Sequence, residues 1–216
     1  MARMMKSLLT ILAAALLLTT GELIALQAPE EKDTTPDVLK TAHELAGTTY
    51  AGYRYGSNMS KKQIDCTQFM QKVLERILER DLSEAEAEAV NISGIPSRSA
   101  ALDSFVEHND ARTKGVVYAL TEVMKLGEEI KPDDVRHGDL IQYWIKSRDG
   151  HYKGHAAIIE SCYVRDGNPV ARLFGSHKTL GRIGIAVDKS GRVLELNLIG
   201  ERRRIYIVRL LRTKPE

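Results

Sequence analysis

Three residues in this chain have the types and surroundings for covalent chemistry on a carbonyl. Cys66 stands in Ile64-Asp65-Cys66-Thr67-Gln68-Phe69-Met70, immediately before an apolar helical pattern. His155 stands in Gly154-His155-Ala156-Ala157-Ile158-Ile159, and His177 follows Ser176, both in strand-like surroundings. A thiol with an ordinary pKa near ~8.5 is mostly protonated at neutral pH. A helix N-terminus and a neighbouring imidazole both favour its thiolate. A nucleophile, a base and a group that orients the base form the logic of a catalytic triad. The three residues therefore predict a cysteine nucleophile that cleaves or transfers acyl groups.

The elements that must position them can be read locally. Asp65 is an N-cap, and Gln68 three positions on completes a capping box. Phe69, Val73, Leu74 and Ile77 then recur at helical spacing. Cys66 takes the first helical position. Asp37 caps an earlier helix that stops at Gly47. The Glu-Ala alternation of residues 83–90 predicts another helix, and Ser99 or Asp103 starts a further short one. Residues 116–126 are apolar and fit either helix or strand. The second half reads as strands over residues 139–145, 156–164, 169–174, 183–187, 193–199 and 205–211, separated by turn signals such as Arg165-Asp166-Gly167-Asn168. Helices followed by antiparallel strands mean an α+β domain, with N-terminal helices on a sheet of about five to six strands and a helical insertion at about 80–129.

The turn at Asp166 makes a prediction about the two imidazoles. If a three-residue loop centred on Asp166 closes the hairpin, paired positions share one constant sum, and that sum sets His155 opposite His177. Opposed side chains share a face with Cβ atoms about 5 Å apart. A two-residue loop moves the register by one. The same reasoning bears on the cysteines. Cys162 lies about 23 Å along the strand from His155, so a thiol at His155 is out of disulfide range of Cys162. A Cys66–Cys162 disulfide and a triad exclude each other, and Cys162 is expected as a buried free thiol. A Cys-His-His zinc site is a further alternative, without the close ligand spacing of common metal motifs. His137 and His151 fall near turns and are expected in solvent; His43 and His108 have no partner evident in the sequence.

The chain has 216 residues and a net charge of +2. Arg3 and Lys6 precede an apolar run over residues 7–18, too short for a bilayer span of about 20 residues. That pattern predicts a signal segment over residues 1–21, a linker over 22–37 and a single domain over 38–216. The protein is therefore expected to be exported, periplasmic or secreted, with no transmembrane span after signal removal. Nothing in the composition supports nucleic-acid binding: Arg202-Arg203-Arg204 leads directly into a strand.

Tyr53-Arg54-Tyr55-Gly56, Asp65-Cys66-Thr67-Gln68-Phe69, Ile95-Pro96-Ser97-Arg98-Ser99, Gly138-Asp139-Leu140-Ile141-Gln142-Tyr143 and Gly154-His155-Ala156-Ala157-Ile158 together resemble the NlpC/P60 family, over most of residues 38–210. The resemblance implies a papain-like core and a cysteine peptidase or amidase acting on peptidoglycan peptides, with no cofactor. It implies Cys66 as nucleophile, His155 as general base and His177 as the orienting residue. It sets Tyr53 and Asp65 at the oxyanion and substrate region. The chain departs from the family pattern at Thr67-Gln68, where Ser-Gly is usual, at Ser57, and in a longer hairpin between the histidines. Two other readings stand beside this one: an amidase or acyltransferase with a non-wall substrate, and a catalytically silent wall-binding protein.

Overall fold

The computed structural model describes residues 37–96, 98–211 and 213. The expected signal segment and all of the linker except Asp37 lie outside them. Helix α1 (Val38–Gly47) starts where the Asp37 carboxylate accepts the Lys40 N–H at 2.9 Å. Short strands β1 (Arg54–Tyr55) and β2 (Gln63–Ile64) lead into α2 (Cys66–Leu78). Helix α3 (Glu84–Asn91) is capped by Ser83 in a reciprocal box with Glu86, and α4 (Ala100–Glu107) by Ser99. The ambiguous segment resolves as helix α5 (Val116–Tyr118), prolonged by a π turn over Ala119–Val123. The remaining strands are β3 (Gly127–Glu129), β4 (Leu140–Lys146), β5 (Tyr152–Arg165), β6 (Asn168–His177), β7 (Arg182–Ile185), β8 (Glu195–Asn197) and β9 (Arg203–Leu210).

The architecture is α+β, with five helices among the described residues and a mixed sheet in the order β2-β1-β7-β6-β5-β4-β9-β3, with β8 paired to β6. The sheet has nine strands, against the five to six expected. The six strands read from the sequence are β4 to β9. The additional ones, β1, β2 and β3, are only two or three residues long, too short to carry an alternation. The sheet is also not wholly antiparallel, because β1 and β2 pair parallel.

Alternation along β4 divides the core. Leu140 joins a cluster with Phe69, Leu74, Val106 and Leu120 on the helical side. Ile141 joins Ala157, Ile159, Leu173 and Ile207 on the other face, with Leu196 of β8 and the following Leu198. At the start of β4 the buried Asp139 accepts Arg209 Nε at 2.8 Å, Arg209 Nη2 at 2.9 Å and the Arg136 N–H at 2.7 Å. That ion pair ties β9 to the approach of β4. Among the described residues, no helix is long and apolar enough to cross a membrane.

The β5–β6 hairpin differs from expectation at its tip and agrees at its base. Arg165 pairs with Asn168, so the turn has two central residues, Asp166 and Gly167, both at positive φ (50° and 74°). That is the twist-matched hairpin turn, and Asp and Gly are the residues that tolerate it. By itself this turn would put the histidines one place out of register. A β-bulge between Ile159 and Ser161 inserts Glu160 and moves the register back. Ile159 then pairs with Leu173 and Ile158 with Phe174, the register that carries His155 opposite His177.

Candidate active site

Cys66 is the first residue of α2 because Asp65 stops the chain from being helical one residue earlier. The Asp65 carboxylate accepts the Gln68 N–H at 2.9 Å and the Thr67 hydroxyl at 2.9 Å. Gln68 Oε1 accepts the Asp65 N–H at 3.2 Å. Asp65 is thus occupied as a helix cap beneath the thiol. The strand before it is fixed from the other side: the buried Ser176 hydroxyl donates to the Ile64 carbonyl at 2.6 Å. Ser176 precedes His177, so one hydrogen bond links the approach to Cys66 with the strand that carries the second histidine.

The two imidazoles meet. His155 Nε2 and His177 Nδ1 are 2.8 Å apart. Tyr143 pairs with His155 across β4–β5, and its ring stands edge-on to the imidazole at 5.6 Å. His155 keeps part of its surface in the cleft, while His177 behind it is only 4% exposed. His177 Nε2 is buried without a hydrogen-bond partner. With Nε2 of His155 engaged, Nδ1 is the nitrogen left for other chemistry.

The sulfur and His155 line one cleft of about 480 Å³. Backbone groups at Ala156 and at the helix start favour the Cys66 thiolate. Ala156 follows His155 directly, so β5 brings the thiol and the imidazole to the same short stretch of backbone. Burial pushes the Cys66 thiol up, outweighing the backbone hydrogen bonds that favour its thiolate. Burial also lowers His155, to about 3, with His177 reinforcing the shift. Burial lowers His177 to about 4. The resting site is therefore a neutral thiol beside neutral imidazoles, not the preformed thiolate–imidazolium pair that the helix start alone would favour.

The remaining walls come from several elements. Tyr55 of β1 and Thr67 of α2 line the cleft together with Cys66. Gln142 and Trp144 of β4 line the floor with Gly154. A Cβ at Gly154 would lie 2.5 Å from the Trp144 ring, which explains the glycine before His155. The opposite wall is the helical insertion: Asn91, Ile92, Ile95, Arg98 and Leu102. It is held to β5 by Asp103, which contacts His151 Nδ1 at 2.7 Å and accepts the Tyr152 N–H at 2.8 Å.

Several expected residues take other places. Tyr53 packs edge-on to Tyr50 at 5.1 Å, at the margin of the helical-side core. Tyr55 rather than Tyr53 lines the cleft with the thiol, its hydroxyl pushed up to about 12 by burial and then by Cys66. Tyr55 lies two residues beyond Tyr53 in the same quoted motif, and only the β1–β2 pairing separates their positions. His151 reaches solvent as expected, with 41% of its side chain accessible, and is also paired with Asp103. His43 contacts the bulge residue Glu160 at 2.9 Å and stacks on Phe174 at 4.1 Å. Both cysteines are free, and Cys162 donates to the Val135 carbonyl at 3.4 Å. Among the described residues, no cluster of three or more His, Cys, Asp or Glu side chains is placed to hold a metal ion.

A scan against protein-family models finds none that matches this chain, and a search of curated proteins finds no match either.

Proposed function

We propose that this protein is an exported cysteine hydrolase with a papain-like core that cuts an amide bond in peptidoglycan stem peptides. The observation that carries the reading is the convergence of three side chains: a thiol on a capped helix start, an imidazole in the same cleft, and a second imidazole bonded to the first. Cys66 Sγ attacks the scissile carbonyl carbon while its proton passes to His155 Nδ1. For that, His155 carries its proton on Nε2 and donates it to His177 Nδ1. The tetrahedral oxyanion is met by the Cys66 backbone N–H and the Tyr55 hydroxyl. His155 then protonates the leaving amine, the C–N bond breaks, and an acyl-enzyme remains. Water, deprotonated by the same imidazole, hydrolyses the thioester and restores the thiol. The exported setting rests on the sequence of residues 1–21.

The test is digestion of defined muropeptides by wild type and Cys66→Ala side by side, with products read by mass. Cleavage by wild type alone is expected. Equal cleavage by both, or none by either, overturns the proposal. One feature favours a catalytically silent wall-binding protein: burial pushes the Cys66 thiol up, away from the reactive thiolate. A thiol-directed electrophile separates the two readings. Labelling of Cys66 at mild pH that disappears in His155→Ala supports the hydrolase; slow labelling indifferent to His155 supports the silent protein.

A further inference from the structure

The chain is nearly charge-balanced, with 31 Lys and Arg against 29 Asp and Glu. Many of its cations are matched locally: Arg80 with Glu86, Lys146 with Glu107, Arg172 with Glu195, Arg209 with Asp139. The cleft departs from this balance. Arg98, Lys153 and Lys178 all line it, and no Asp or Glu does. They come from three separate places: the loop before α4, strand β5, and the turn after β6. Among the described residues, none of Arg98, Lys153 and Lys178 forms an ion pair with a carboxylate. The cleft lining also carries apolar side chains, Ile92, Ile95, Leu102 and Trp144.

Three like charges gathered at one concave site repel each other unless something else is gained. A cleft with low-dielectric walls focuses their field on what enters it and raises the local concentration of anions. This all-cationic lining lies in the cleft that holds Cys66 and His155, which ties the anion to the molecule being processed. We propose that this site selects substrates carrying a free carboxylate close to the bond presented to Cys66, with Arg98, Lys153 and Lys178 as the specificity-determining residues and a small apolar group seated against Trp144. Turnover of such a substrate rests on the cysteine-hydrolase reading; the selection in binding does not.

The experiment uses a defined muropeptide with its side carboxylates free and the same molecule with them amidated. Calorimetric titration into Cys66→Ala measures binding without turnover. The free-carboxylate form is expected to bind about tenfold more tightly at low salt, and the ratio is expected to shrink as ionic strength rises. Lys153→Met combined with Lys178→Met narrows the ratio; both side chains are exposed, so the fold tolerates the changes. Arg192→Gln, at an exposed pair remote from the cleft lining, leaves the ratio where it was. Equal binding of the two forms, no binding of the free form, or a ratio unmoved in the double variant overturns the proposal. Wild-type turnover is read in parallel. Selective binding to Cys66→Ala with no cleavage by wild type defeats the hydrolase reading and leaves the selection standing.

Discussion

Burial fixes the starting protonation of the candidate catalytic groups, and two measurable consequences follow at the level of single residues. His155 is lowered to about 3 and His177 to about 4, so the proposed base stays unprotonated far below the usual histidine range. The acid limb of kcat/KM is therefore expected well under pH 5, instead of near pH 6.5. A limb at an ordinary histidine value would contradict the neutral pair. Stability follows the same shifts. Both folded-state values lie below the unfolded one, so the unfolded chain binds more protons between about pH 3 and 6.5. Stability is full above that window and falls as pH drops through it, by up to about 1.4 kcal/mol per pH unit for each proton concerned. Urea titrations at pH 7 and 4.5 should show the loss, and His155→Gln should flatten it. The trio itself was legible in the sequence, because a capping box around a cysteine and histidines on strand-like segments are local signals. Tyr55, Trp144 and Lys153 were not, because their place in the cleft depends on chain closure between distant segments.

Among the elements, α2 and the β5–β6 hairpin do most to assemble the site. Asp65 holds the start of α2 through its carboxylate, so Asp65→Ala is expected to cost about 1 kcal/mol, read by chemical denaturation. Asp65→Ser keeps a cap and should recover most of that loss. A role in substrate binding would instead appear in KM with stability unchanged. The hairpin brings the histidines together by a route the sequence did not signal. Reading a three-residue loop at Asp166 gives the correct pairing at the base of the hairpin for an incorrect reason. The turn has two central residues, and Glu160 makes up the difference as a bulge. A bulge leaves no composition signature, and Glu160 sits within an otherwise ordinary apolar strand. Deleting Glu160 should throw His155 out of register with His177 and remove activity, with a fall in Tm. Glu160→Ala, which keeps the extra residue and loses only the His43 contact, should retain the imidazole pair.

For the whole molecule, the α+β class and six of the strands were legible because β4, β5, β6 and β9 are long enough to alternate, and the short β7 and β8 lie in apolar runs between turn residues. The remaining three strands exist only as pairings made after the chain has folded. Two long-range devices hold the layers. The Asp139–Arg209 pair is buried, with Asp139 only 2% exposed, so Asp139→Ala should cost about 3–5 kcal/mol by leaving a guanidinium unmatched. Replacing both partners by apolar residues should cost less. The cysteines contribute no cross-link, and Tm is expected to be the same with and without a reducing agent. The bulge also has a practical consequence. It lies between the histidines and the hairpin tip, which is roughly 33 Å along the strand from His155. Alignment of the rings depends on the tip and the bulge together, because Glu160 offsets the two-residue turn. A short insertion between Asp166 and Gly167 therefore tests whether the loop or the bulge absorbs the added length, read from whether the reactive centre survives.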